Sequence, residues 1–343
     1  MTQQEETADR VESAAPAGSK VRVDLPDLGE RYALPLVWGI TCLIFTILRP
    51  DTFPTNENFS TIFGTQAVLV VLTLGLLVPL TAGDYDLSVA YTLTLSAMVL
   101  AILNVNYHWS IYWAILAALA VGAGVGFVNG AIVVIFAIDP FIVTLGTGTF
   151  IGGVVLWISA SQTLSGISTR LVNPVVADRF LGIPLEFYYG LGLCVFLWYV
   201  FEYTPVGRRL LFVGRGRSVS RLSGIRVNRL RWGALVASGI ISAGAGILYA
   251  GTTGAADPTS GISFLLPAYA AAFLGGTTLT PGRFNPWGAF IAAYFLQTGI
   301  VGFQLLGVES YVQQLFYGGA LVIAVIVSQL ARRRQSPDAG ASG

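Results

Sequence analysis

IYWAILAALAVGAGVGFVNGAIVVIF, residues 111–136, runs for twenty-six residues without an Asp, Glu, Lys or Arg. An α-helix needs about 20 mostly apolar residues to cross the hydrocarbon core of a bilayer, so this stretch reads as a membrane span. Gly122, Gly124, Gly126 and Gly130 lie inside it. No strand precedes them, so the Gly-x-Gly pattern does not form a nucleotide loop. Gly122/Gly126 and Gly126/Gly130 are small-xxx-small pairs, which let two membrane helices bring their backbones together.

The same pattern recurs on either side, at 32–49, 61–82, 86–105, 141–160, 187–203, 232–251, 263–280, 287–306 and 312–330. The runs 86–105 and 263–280 are rich in Ser, Thr, Ala and Gly, which makes them candidates for broken or re-entrant segments. Composition agrees with this reading. The chain is 54% hydrophobic and 11% charged, against about 25% charged in an average soluble domain. The expected fold class is an all-α integral membrane protein of about ten transmembrane helices. Residues 32–331 form its transmembrane domain, and the polar segments 1–31 and 332–343 read as disordered cytosolic tails. Glu5, Glu6, Asp9 and Glu12 stand where a signal peptide would carry positive charge.

Lys and Arg set the orientation, because cytosolic loops are enriched in them. With ten spans and both ends inside, the cytosolic side holds Arg10, Lys20, Arg22, Arg31, Arg283, Arg332, Arg333, Arg334 and all eight arginines between 205 and 231, which is sixteen of the nineteen cations. Arg49, Arg170 and Arg179 fall outside, and 161–186 becomes a long external loop. Dropping one weak span would put the arginine loop or a terminus on the wrong side. A net charge of +1 points to no polyanionic partner, so nucleic acid is not expected.

Two elements carry polar chemistry. The turn Ala82-Gly83-Asp84-Tyr85-Asp86-Leu87-Ser88-Val89 places two carboxylates at the membrane edge, where a charge is costly unless solvated or paired. Asp86 fits the N-cap of the following helix, and the turn also suits a partner surface or the inner mouth of a pathway. The loop 205–231 holds eight arginines and no acid, with Leu210, Leu211, Phe212 and Leu222 interleaved. By itself it suits anionic headgroups or a groove on a soluble partner.

Several chemistries are excluded. A P-loop needs Gly-Lys-Ser/Thr, but Lys20, the one lysine, follows Ser19, so any ATP is hydrolysed on another polypeptide. His108 is the single histidine, which leaves no second histidine for a metal site and no Ser–His pair within the membrane. Asp84 and Asp86 share one turn rather than facing helices, unlike an aspartyl protease dyad. Cys42 and Cys194 lie in apolar runs and read as buried thiols. No cofactor, metal or catalytic residue is expected.

Five segments in order, spanning about 33–330, then acquire a common meaning. Ala82–Ala90 resembles the Gly-Gly-Ile-Asp-Leu-Ser-Val-Gly segment of the permease subunits of ribose/xylose-type bacterial ABC sugar importers. Pro140–Thr147 matches their PFIVTLGT stretch. Thr204–Ile225 is similar to their cytosolic loop, T-x-x-G-R followed by A/R-L-S-G-I. Leu274–Leu279 with Gly282-Arg283 resembles IGGTSLxGGRG, and Leu306-Gly307-Val308 with Tyr311–Gln314 resembles LGVxxYxQQ. The chain departs where Asp84-Tyr85 replaces Gly-Ile, Ala90 replaces Gly, and Phe284-Asn285-Pro286 interrupts a Gly-rich turn.

The resemblance implies a permease in the bacterial plasma (inner) membrane that passes a small polar solute, foremost a monosaccharide. It implies a second permease subunit, a cytosolic ATP-binding subunit and an extracytoplasmic solute-binding protein. The loop, through Gly207, Arg208, Arg215, Arg221, Leu222, Gly224 and Ile225, would couple to the ATPase. Candidates for the pathway or gate are Asp84, Asp86, Ser88, Thr144, Thr147, Thr149 and Gln297. Asp86 is expected to be structurally required and Asp84, a departure from the motif, less so. The alternatives are a permease for branched-chain amino acids or nucleosides, and a secondary carrier, for which the spans offer no mid-membrane titratable group.

Overall fold

Fourteen α-helices make up most of the described residues, 25–309 and 311–334, of the computed structural model. In chain order they are α1 (Leu25–Leu48), α2 (Asn56–Thr65), α3 (Ala67–Thr81), α4 (Val89–Ala101), α5 (Ile111–Ile135), α6 (Pro140–Ile158) and α7 (Thr169–Val172). There follow α8 (Leu185–Tyr203), α9 (Pro205–Arg215), α10 (Arg217–Leu222), α11 (Val227–Thr253), α12 (Ile262–Gly275), α13 (Pro286–Leu305) and α14 (Tyr311–Arg334). Four two-residue strands form two antiparallel bridges: β1 (Leu164–Ser165) with β4 (Ala255–Ala256), and β2 (Arg179–Phe180) with β3 (Ile183–Pro184). The expected tails fall mainly outside the described residues. Where they overlap, 25–31 and 332–334 belong to α1 and α14.

Nine helical stretches among the described residues are long and apolar enough to cross a membrane, with α2 and α3 forming one of them. The run 263–280, one of the two expected to be broken or re-entrant, holds a helix, α12, that ends at Gly275 after 14 residues, about 21 Å at 1.5 Å per residue, yet the chain still passes from the Thr163–Asp257 contact to the Arg31–Leu279 contact at the opposite end. The chain turns through 276–285, where the Asn285 amide donates to the carbonyls of Gly275 and Thr278 at 3.1 and 3.0 Å. Its oxygen accepts the Gly288 N–H at 2.6 Å, capping α13. The other weak run starts later than expected. Residues 82–88 are a turn, α4 begins at Val89, and a π-helical turn over Ile102–Asn106 completes it.

Every residue of α3 is buried, as befits a helix that is apolar on all sides, and α4, α8, α11, α12 and α13 pack around it. α1 and α14 lie outside this core, with Leu36, Ile40 and Ile47, and Leu315, Val322 and Ile323, turned outward. The small-residue pairs of α5 find their partner in α11. A β-carbon at Gly122 would overlap the Gly239 carbonyl, one at Gly126 the Leu235 carbonyl, and one at Gly130 the Trp232 ring.

The bundle has two distinct ends. At one, the start of α1 meets the 276–283 turn through reciprocal bonds between Arg31 and Leu279, each 2.9 Å. Arg283 pairs with Glu202 at the end of α8 at 2.9 Å, and the arginine-bearing α9–α10 loop follows directly. At the other end, segment 159–186 folds against the α11–α12 connection. Thr163 donates to Asp257 at 2.9 Å, and the Ser168 N–H to the Asn104 side chain at 3.0 Å.

Candidate functional site

The turn between α3 and α4 gathers a set of buried polar groups at the arginine end. Gly83 has φ +79°, a left-handed conformation open to glycine at little cost, and it swings Asp84 back beneath the loop. Asp84 is fully buried. Arg231, in the opening turns of α11, forks onto it, Nε to Oδ2 at 2.7 Å and Nη2 to Oδ1 at 2.9 Å. Arg217, at the start of α10, adds a short contact to Oδ1 and donates to the Gly83 carbonyl at 2.9 Å. Gly214 permits this approach, because a β-carbon there would strike the Thr81 carbonyl at the end of α3.

Removing one partner of such a buried pair typically costs about 3–5 kcal/mol. That figure applies to Arg231, 7% exposed. The Arg217 side chain, 39% exposed, is screened by solvent and contributes less.

Asp86 is satisfied differently. Its Oδ1 accepts the Ser88 N–H at 3.0 Å and the Ser88 hydroxyl at 2.6 Å. Its Oδ2 accepts the Ser238 hydroxyl of α11 at 2.8 Å. Asn129 of α5 donates to the Ser88 hydroxyl at 2.8 Å. The N-cap of α4 is Ser88 itself, so Asp86 secures the turn just ahead of that cap rather than occupying the cap position. Asp84 thus holds a charged network and Asp86 a neutral one.

Thr144 joins α6 to the same turn. Its hydroxyl accepts the Leu87 N–H at 3.0 Å and donates to the Pro140 carbonyl at 2.8 Å. Asp84, Asp86, Ser88 and Thr144 therefore meet. Thr147 is a turn farther along α6 and donates to the Thr144 carbonyl at 3.4 Å. Thr149 is exposed and bonds within its own helix, and Gln297 is half-buried along α13. These last two do not join the cluster. Tyr85, between the two carboxylates and 40% exposed, lies near-parallel to Tyr269 and Phe273 of α12 at 6.4 and 6.5 Å.

In the loop, Thr204 caps α9 by accepting the Gly207 N–H at 3.3 Å, and a β-carbon at Gly207 would strike the Val200 carbonyl of α8. Arg208, Arg215 and Arg221 are exposed, Ile225 is half-buried, and Gly224 turns the chain with φ +76°. Leu222 is 90% exposed. Sequence reasoning grouped all eight arginines as one surface, yet Arg217 and Arg231 belong to Asp84. The available signal was an acid standing in place of a glycine beside an acid-free arginine loop, since a buried charge demands a partner. Ser238 and Asn129 carried no such signal. Among the described residues no cluster of three His, Cys, Asp or Glu side chains is arranged to hold a metal ion.

A helical bundle of membrane-spanning length, with a buried polar turn at the root of an exposed basic loop, defines a multi-pass membrane protein. Residues 58–325 match the family described as branched-chain amino acid transport system / permease component, and the chain belongs to that family. It is 30% identical to the D-allose transport system permease protein AlsC of Escherichia coli (strain K12) over 301 residues, 88% of this chain and 92% of that protein. It is 32% identical to the ribose import permease protein RbsC of the same strain, over 83% of this chain and 89% of that one. It is 28% identical to the autoinducer 2 import system permease protein LsrD of Salmonella paratyphi A (strain ATCC 9150 / SARB42), over 85% and 89%. No solved structure matches the chain.

Proposed function

We propose that this chain is the membrane-spanning subunit of an ATP-driven ABC importer in the bacterial plasma membrane and that its cargo is a monosaccharide. The observation that carries this reading is similarity along 83–88% of the chain to permeases whose names give allose and ribose as cargo. The chain holds no Gly-Lys-Ser/Thr sequence, so ATP is hydrolysed on a separate cytosolic subunit. An extracytoplasmic binding protein delivers the solute, and a second permease subunit completes the path.

In this reading both termini and the arginine end face the cytosol, in keeping with sixteen of nineteen cations on that side, and 161–186 is external. The exposed surface of α9 and α10, with Arg208, Arg215, Arg221 and Leu222, docks the ATPase. Gly207, Gly224 and Ile225 shape the loop beneath it. Asp84, Asp86, Ser88, Thr144, Thr147, Thr149 and Gln297 remain the pathway or gate candidates, with Tyr85 added as an aromatic face. No bond of the solute is made or broken. The work is a shift between inward-open and outward-open packings, driven by differential binding of ATPase and binding protein to the two states.

The test is uptake of labelled allose, ribose, xylose, leucine and nucleosides in cells with and without the gene. Loss of one monosaccharide's uptake on deletion is expected. Loss of leucine uptake alone would favour the branched-chain amino acid reading that the family's description carries.

A further inference from the structure

We propose that Asp84 is a positioning residue of transport: with Arg217 and Arg231 it fastens the α9–α10 loop to the turn that opens α4, and movement of the loop reaches the pathway through that fastening. The proposal rests on the importer reading, which supplies the ATPase that moves the loop.

Three observations converge on it. Asp84 is fully buried, and its two oxygens are shared by two arginines from different elements. Those arginines bracket the surface on which Arg221 and Leu222 are exposed: Arg217 opens α10, and Arg231 sits in the opening turns of α11, the helix into which the loop runs. The turn that Asp84 belongs to is in turn bonded to α6 through Thr144 and Leu87, to α11 through Asp86 and Ser238, and to α5 through Ser88 and Asn129. A displacement of α10 that keeps the Arg217–Asp84 contact therefore drags a junction of four helices. Displacement without that contact leaves the junction behind.

Charge makes the fastening selective. A guanidinium fork fixes direction as well as distance, whereas apolar contacts slide.

A purely structural staple would also be buried and paired. The two roles separate in the assembled complex of permease, ATPase and binding protein, reconstituted in liposomes. The quantity read is the ratio of solute-stimulated to unstimulated ATP hydrolysis, per complex recovered by co-purification. For Arg217→Ala, which keeps the Arg231 fork, and for Asp84→Asn, this ratio should fall roughly tenfold, the size of a 1.4 kcal/mol coupling loss. The double variant should do no worse than the more severe single, because both singles remove the Arg217–Asp84 ion pair. Ratios equal to wild type in both single variants, or effects that multiply in the double, would overturn the proposal. If Asp84→Asn fails to assemble, Arg217→Ala decides alone. A wild-type chain that recruits no ATPase would instead sink the importer reading, and this proposal with it.

Discussion

Each end of the bundle buries an acid, and the two are held by different means. At the arginine end, Asp84 is held by two guanidinium groups that arrive from a loop projecting out of the bundle. At the other end Glu186, 2% exposed in the first turn of α8, is held by one hydroxyl, Thr252 of α11, at 2.7 Å. Its other oxygen faces Gly64, where a β-carbon would crowd it. The first arrangement joins a surface element to the core through charge. The second ties two core helices through a neutral donor and leaves the surface segment 159–186 fastened by strand bridges and hydroxyls. Charge is spent where a mobile partner is expected to push, and hydrogen bonds suffice where the helices only need to stay together.

Isosteric neutralisation breaks the comparison most sharply. Asp84→Asn leaves two arginines without a counter-ion and is expected to cost about 3–5 kcal/mol, while Glu186→Gln keeps an acceptor for Thr252 and relieves a buried carboxylate, with a change within about 1 kcal/mol. Thermal unfolding in detergent reads both. Comparable destabilisation in the two variants would erase the distinction between the ends.

Asp86 sharpens it within a single turn. Asp86→Ala removes the acceptor of the Ser88 N–H and both hydroxyls and is expected to cost about 0.5–2 kcal/mol, on the scale of a lost cap. Asp86→Asn retains an acceptor oxygen and should lose less. If Asp86→Asn proves as inactive in uptake as Asp86→Ala while both assemble normally, the charge itself is functional and the turn-securing role is insufficient.

The smallest effect belongs to the far end. The Thr259 hydroxyl and N–H, followed by Thr163, hold the Asp257 carboxyl below the usual carboxylate range. A depressed pKa contributes stability that is present above the unfolded value of about 3.9 and is lost as pH falls through the folded one. The 161–186 segment should thus keep its resistance to protease at neutral pH and loosen only below about pH 4, and Asp257→Asn should flatten that dependence. Loosening near pH 6 would assign the effect to another group.

Much of this architecture was legible because lipid imposes a length and a polarity on each span. The ten apolar runs all contain helices, and Gly122, Gly126 and Gly130 sit on a helix–helix contact as small residues at a spacing of four should. That 263–280 breaks was legible in its Ser, Thr, Ala and Gly content; the residue at which α12 ends was not. Nothing in Gly276, Thr277 or Thr278 fixes the point, which is set by Asn285 bonding to carbonyls ten and seven residues back. The site was half visible. Thr144 and Ser88 lie in motifs, but the partners of Asp84 lie 133 and 147 residues away along the chain, and nothing local distinguishes Arg217 and Arg231 from the six other arginines of their loop.

The arginine end is expected to face the cytosol and the 161–186 end to face outward. Ser165, beside β4, and Ser218, on α10, are both exposed and mark the two ends. In a background lacking Cys42 and Cys194, Ser165→Cys should react with a membrane-impermeant maleimide in intact spheroplasts, and Ser218→Cys only after permeabilisation. Reaction of both in intact spheroplasts, or of Ser218→Cys alone, would contradict the account.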